Sequence, residues 1–261
     1  MPTSSNPFRL FVMSVASAAV AFMVISGSLR PDTPATDVGQ AGVSVGNDTA
    51  RAVERVAYRQ DVVRVGDVIV VDGAPSAPIE NPDIAATWAI VDELWPDSLR
   101  GELRQLSVIE GESRGLVGVV HPAGTGGWIL SLDVADLDDR LLIEETIVHE
   151  LSHLATLAPD EFVFGATDCA GVKIELGCAA SGSILADFAT EFWPGDEGSN
   201  FAGDYVNDYA RTGAHEDLAE TFTALVLGWP VSGGQVDAKL AMLESDPRLT
   251  ALAAELRTNL D

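Results

Sequence analysis

LLIEETIVHELSHLAT, residues 141–156, decides how this chain folds and what chemistry it can carry. Inside it, His149-Glu150-Leu151-Ser152-His153 reads H-E-x-x-H. On a helix, residues four apart share one face, so both imidazoles can reach one metal ion. Glu150 follows the first histidine directly, where it can meet a metal-activated water as general base. The flanks suit a helix. Asp138 and Asp139 can cap its start, and Glu144 and Glu145 lie early, near the positive dipole end. Leu141, Leu142, Thr146, Ile147, Val148, Leu151 and Leu154 supply apolar surface, and Ala158-Pro159 stops the run. Histidine is scarce: the chain has 4, at positions 121, 149, 153 and 215. Two of them fall in the motif, which favours a metal over coincidence.

A catalytic zinc takes three protein ligands and keeps one position open. The downstream segment YARTGAHEDLAETF, residues 209–222, offers the third. Leu218, Ala219, Phe222, Leu225 and Val226 space a helix over Asp217–Leu227. Glu216 and Glu220 are four apart and share a face. One can bind metal, and the other can accept a hydrogen bond from a liganding imidazole. His215 as ligand would give an all-histidine site, and Glu220 as ligand is the other alternative. Asp217 is one residue off the Glu216–Glu220 face, pointing away. The metzincin extension is absent, because Thr156 and Pro159 occupy its Gly and final His positions. His121, in Val119-Val120-His121-Pro122, reads as a strand-end residue.

Together, HELSH and the segment from Tyr209 resemble the gluzincin type of zinc metallopeptidase. The pattern is closest to anthrax lethal factor-like catalytic domains and related secreted bacterial zinc peptidases. The resemblance covers roughly residues 149–227. It implies a zincin-like α+β fold, in which a small mixed sheet and the active-site helix precede a helical C-terminal lobe. It also implies Zn2+ as cofactor, with His149, His153 and Glu216 as ligands and Glu220 as their support. Tyr209 falls on a tyrosine proposed to donate to the transition state. In such folds the strand before the active helix, here Trp128–Val134, commonly forms the edge of the substrate cleft.

Net charge is −25, from 40 acidic and 15 basic residues. Phosphate binding needs clustered Lys and Arg, so nucleic acid is excluded as a partner. The acid is spread along the chain, as for a solvated surface in a salty exterior or one that prefers basic substrates. Leu10 to Ile25 is uncharged and apolar apart from serines, preceded by Arg9 and followed by Ser26-Gly27-Ser28. Residues 1–28 therefore read as a signal peptide, or as a membrane anchor over residues 10–29. Residues 29–60, rich in Pro, Thr, Gly and Asp, read as a disordered linker, and 61–261 as the metallopeptidase domain. Export makes a disulfide between the two cysteines, Cys169 and Cys178, the expectation.

Valine-rich Asp61–Asp72 reads as a strand or hairpin, and Leu103–Ile109, Leu116–His121 and Trp128–Val134 as strands. Helical spacing covers Ile84–Trp95, Ser183–Trp193, Val236–Glu244 and Pro247–Leu260. Gly124-Thr125-Gly126-Gly127 lacks the lysine and following helix of a phosphate loop. The expectation is an exported zinc metallopeptidase acting on a peptide or protein. The alternatives are a non-catalytic zincin-like binding module and a hydrolase of a cell-wall amide.

Overall fold

The computed structural model describes residues 63–110, 118–124, 126–134, 139–194 and 204–260. The expected leader and linker and the cap Asp138 lie outside these residues. Among the described residues, no helix is long and apolar enough to cross a membrane.

The fold is α+β. Strand β1 (Val63–Val71) turns through Asp72-Gly73 into the two-residue β2 (Ala74–Pro75). Both turn residues have positive φ, 50° and 78°, which is the left-handed pair that closes a tight hairpin and favours Asp-Gly. Helix α1 (Pro82–Leu94) starts where Asn81 accepts from the Asp83 and Ile84 amides, with proline in its first turn. β3 (Leu103–Glu110), β4 (Gly118–Pro122) and β5 (Trp128–Asp133) follow. These strands form a five-stranded mixed sheet in the order β2-β1-β3-β5-β4. β3 and β5 pair in parallel, and the other pairs are antiparallel. β3 and β5 carry consecutive buried residues, as strands covered on both faces do. β1 instead leaves Ile69 and Val71 exposed on its outer face, and Val63 exposed at its start, beyond the bulge at Arg64–Gly66.

Helix α2 (Arg140–Thr156) carries the HELSH motif, and the Asp139 side chain accepts from the Leu142 amide at its start. A small antiparallel sheet follows: β6 (Phe162–Phe164), β7 (Val172–Ile174) and β8 (Gly177–Ala179), in the order β6-β8-β7. Cys169 and Cys178 are bonded across it. The C-terminal half is helical: α3 (Ile184–Phe192), α4 (Ala214–Leu227), α5 (Gly234–Ser245) and α6 (Pro247–Leu260).

One core cluster joins the sheet to the helices, through Leu106 and Leu130, Ile147 and Leu151 of α2, Phe188 of α3, and Phe222 of α4. Truncating a fully buried phenylalanine such as Phe222 to Ala would cost roughly 3–5 kcal/mol. α2 packs against both α4 and β4. Gly118 permits the latter approach, since a Cβ there would lie 2.5 Å from the Thr146 methyl group.

The topology corrects one expectation. β5, the strand before the active helix, lies inside the sheet between β3 and β4. The chain enters β4 first and turns back into β5, which takes the inner place by pairing with β3. Among the described residues, the free edge beside α2 is therefore β4.

Candidate metal centre

α2 is buried on nearly every side: each residue from Thr146 to Leu154 is buried. The apolar members fill the core, and His149 and His153 emerge one turn apart. Their rings meet edge-on with centroids 4.8 Å apart, and their Nε2 atoms are 3.1 Å apart. The first turn of α4 supplies Glu216. Its Oε2 lies 3.0 Å from His149 Nε2 and 3.3 Å from His153 Nε2. Among the described residues, His149, His153 and Glu216 form the cluster that could hold a metal ion.

The donor set fits zinc. Two imidazole nitrogens and one carboxylate oxygen are ordinary zinc ligands at bonds of about 2.0–2.2 Å. A tetrahedral centre with such bonds has ligand-to-ligand edges of about 3.3–3.6 Å, close to the edges of 3.0, 3.1 and 3.3 Å found here. His215, although buried, is not a member of the cluster.

The electrostatics follow from burying charge. Burial would raise the Glu216 carboxyl, but His215, His153 and the bond to His149 outweigh it and hold it well below the carboxylate range. Burial would lower His149, but the carboxylates of Glu216 and Glu220 hold it well above the usual imidazole value. Glu150 is raised, chiefly by burial, and His149, His153 and the Val120 amide offset part of this. Tyr209 is raised well above the usual phenol value by burial, then by Glu216 and Glu150. A metal ion takes the neutral imidazole and the ionised carboxylate, so its binding would displace the proton on His149.

Glu150 points to the edge strand. Its Oε2 accepts from the Val120 amide of β4 at 2.8 Å. That N–H faces away from β5, so the candidate base and the free sheet edge meet.

The remaining site residues come from around α4. Glu220 Oε1 lies 2.9 Å from His149 Nδ1, off the axis of an ideal N–H···O bond. Asn207 donates to Glu220 Oε2 at 2.5 Å and accepts from the Ala210 amide, which ties Glu220 to the short 3-10 turn Tyr209–Thr212. Tyr209 donates its hydroxyl to Glu216 Oε1 at 3.2 Å, and its ring lies 5.7 Å from that of His149. Asp217 points away from the cluster into a buried ion pair, 2.7 Å from Lys239 Nζ, and accepts from Trp193 Nε1. Burial raises its carboxyl, while Lys239 and Trp193 pull it back. His121 is buried on β4, outside the cluster.

Helix α4 begins at Ala214, three residues before the helix read from sequence, so Glu216 sits in its first turn. Reading the sequence missed Asn207 and the Val120 amide. Only Asn207 left a signal there, as an Asx residue at the head of a turn.

No protein-family model matches the chain, and no curated protein matches it. One solved structure with some similarity is that of a "putative zinc-binding metallo-peptidase" from Bacteroides caccae. The identity is 15%, over 74% of this chain and 81% of that chain, with a TM-score of 0.37. At that distance the function rests on this chain's own geometry.

Proposed function

We propose that this chain is an exported zinc-dependent metallopeptidase of zincin type. The observation that carries the reading is the convergence of His149, His153 and Glu216 beside Glu150. Export is supported by the disulfide and by the apolar N-terminal sequence. A peptide substrate is supported by β4, an edge strand on which an extended chain can pair by backbone hydrogen bonds.

His149, His153 and Glu216 would hold the zinc. Bound zinc supplies a Lewis acid that acidifies water and polarises a carbonyl. Glu150 takes the proton from the attacking water and returns it to the leaving amine. Tyr209 donates a hydrogen bond to the developing oxyanion. Glu220 steadies the His149 ring from its far side, with Asn207 behind it.

Metal analysis and two variants test this. The purified chain should carry close to one zinc, and His149→Ala should lose it. Glu150→Gln should keep the metal and lose peptide hydrolysis by about 100- to 10,000-fold. A zinc-loaded chain that cleaves neither peptides nor cell-wall amides would instead support a binding module. Full zinc retention in His149→Ala would sink the assignment altogether.

A further inference from the structure

His215 precedes the candidate ligand Glu216 and is 4% exposed. Its Nε2 lies 3.3 Å from Glu216 Oε1 and 3.7 Å from Glu175 Oε1. Ionised carboxylate oxygens only accept hydrogen bonds, so a nitrogen facing two of them is the one that carries the proton. Glu216 thus divides its oxygens. Oε2 faces His149 and His153, while Oε1 faces the Tyr209 hydroxyl and His215. A carboxylate held on one oxygen by two donors cannot swing, and it presents the other oxygen in a fixed direction.

The His215 ring is itself confined. Its centroid lies 5.7 Å from that of His153. A Cβ on Gly213 would come within 2.9 and 3.0 Å of ring atoms Cε1 and Nδ1, and within 3.4 Å of Glu175 Oε1. Gly213 has φ 179°, ordinary extended backbone, so space and not conformation makes glycine necessary there. Glu175 comes from the turn between β7 and β8, on the hairpin that the Cys169–Cys178 bond closes.

We propose that His215 is a positioning residue for Glu216, and that Glu175 holds the His215 imidazole in turn. Glu175 Oε1 faces the same Nε2 at 3.7 Å, beyond hydrogen-bond reach, so it acts on the imidazole as a charged neighbour, while Glu216 stands nearer at 3.3 Å. The proposal rests on the metal-site reading above. It gives the small sheet a part in the site, because the β7–β8 turn carries Glu175.

The test uses the full chain, stripped of metal, with zinc affinity read by competition against a chromophoric chelator. The visible spectrum of the Co2+-substituted protein reads the ligand geometry. His215→Leu should weaken zinc binding by about 10- to 100-fold, as loss of an outer partner does, and should change the Co2+ spectrum. His215→Gln, which keeps a donor at similar reach, should recover most of the loss. Glu175→Gln should weaken binding severalfold, with no added effect once His215 is Leu. Equal losses in the Leu and Gln variants would mean packing alone, and would overturn the proposal. So would wild-type affinity and spectrum in both. If His215→Leu does not fold, Glu175→Gln on its exposed turn decides, and unchanged affinity and spectrum there would overturn the proposal. A wild-type protein that binds no zinc would remove the metal-site reading itself, whereas zinc binding with indifferent variants would remove this inference alone.

Discussion

Tyr209 donates to Glu216 Oε1, so its hydroxyl touches the candidate ligand, and the proposed function gives it a second role as oxyanion donor. The two roles have different signatures. Loss of an oxyanion donor lowers turnover by about 100- to 1,000-fold. Loss of an outer partner of a ligand lowers metal affinity, here with His215 still in place to hold the same oxygen. Tyr209→Phe should therefore reduce kcat by about 100-fold or more, and zinc affinity by less than about tenfold. Steady-state kinetics on a peptide and a chelator titration would separate them. Unchanged kcat would leave Tyr209 a prop for Glu216. At this scale the histidine pair was legible because i, i+4 spacing on a helix is local geometry. Glu175 was not, since nothing in the chain says that a turn 40 residues before His215 folds back onto it.

The helices were legible where the chain punctuates them. Asn81, Asp139 and Ser183 cap three of them, and Asp246 caps α6 by accepting from the Arg248 and Leu249 amides. α4 was read late because Gly213 offers no side-chain cap and Ala214-His215 carries no apolar period. The strands β6, β7 and β8 were illegible, since three residues each are too few to show alternation. What gives that sheet its place is packing and a covalent link. Phe164 meets Trp128 of the large sheet edge-on at 6.2 Å, and Cys169 is bonded to Cys178 nine residues on. Closing so short a loop should stabilise the fold by about 2–3 kcal/mol through the unfolded state. The double variant Cys169→Ser, Cys178→Ser should lower the urea unfolding free energy by that amount. It should also weaken zinc binding, because Glu175 rides on the same hairpin. A variant as stable as wild type would make the bond incidental to the fold.

Across the whole molecule, acid exceeds base by 25 charges. Among the described residues, several of the few cations are committed to acids: Arg100 to Asp92 and Asp97, Arg140 to Glu93 and Glu144, and Arg248 to Glu161 and Asp246. Exposed pairs of this kind contribute about 0–1 kcal/mol each. The surplus carboxylates repel one another through the compact state. Salt acts on the two effects oppositely. It weakens each pair slightly, but it also shortens the Debye length from about 30 Å at 0.01 M to about 3 Å at 1 M, removing the many long-range repulsions. With 40 acids against 15 bases, the repulsions outnumber the pairs. The melting temperature of the full chain should therefore rise between about 0.01 M and 1 M sodium chloride. Each 1 kcal/mol of relief corresponds to roughly 2–4 °C for a chain of this size. Calorimetry across that range checks the sign. A melting temperature that falls with sodium chloride would mean that the arginine pairs, and not the surplus acid, dominate the surface.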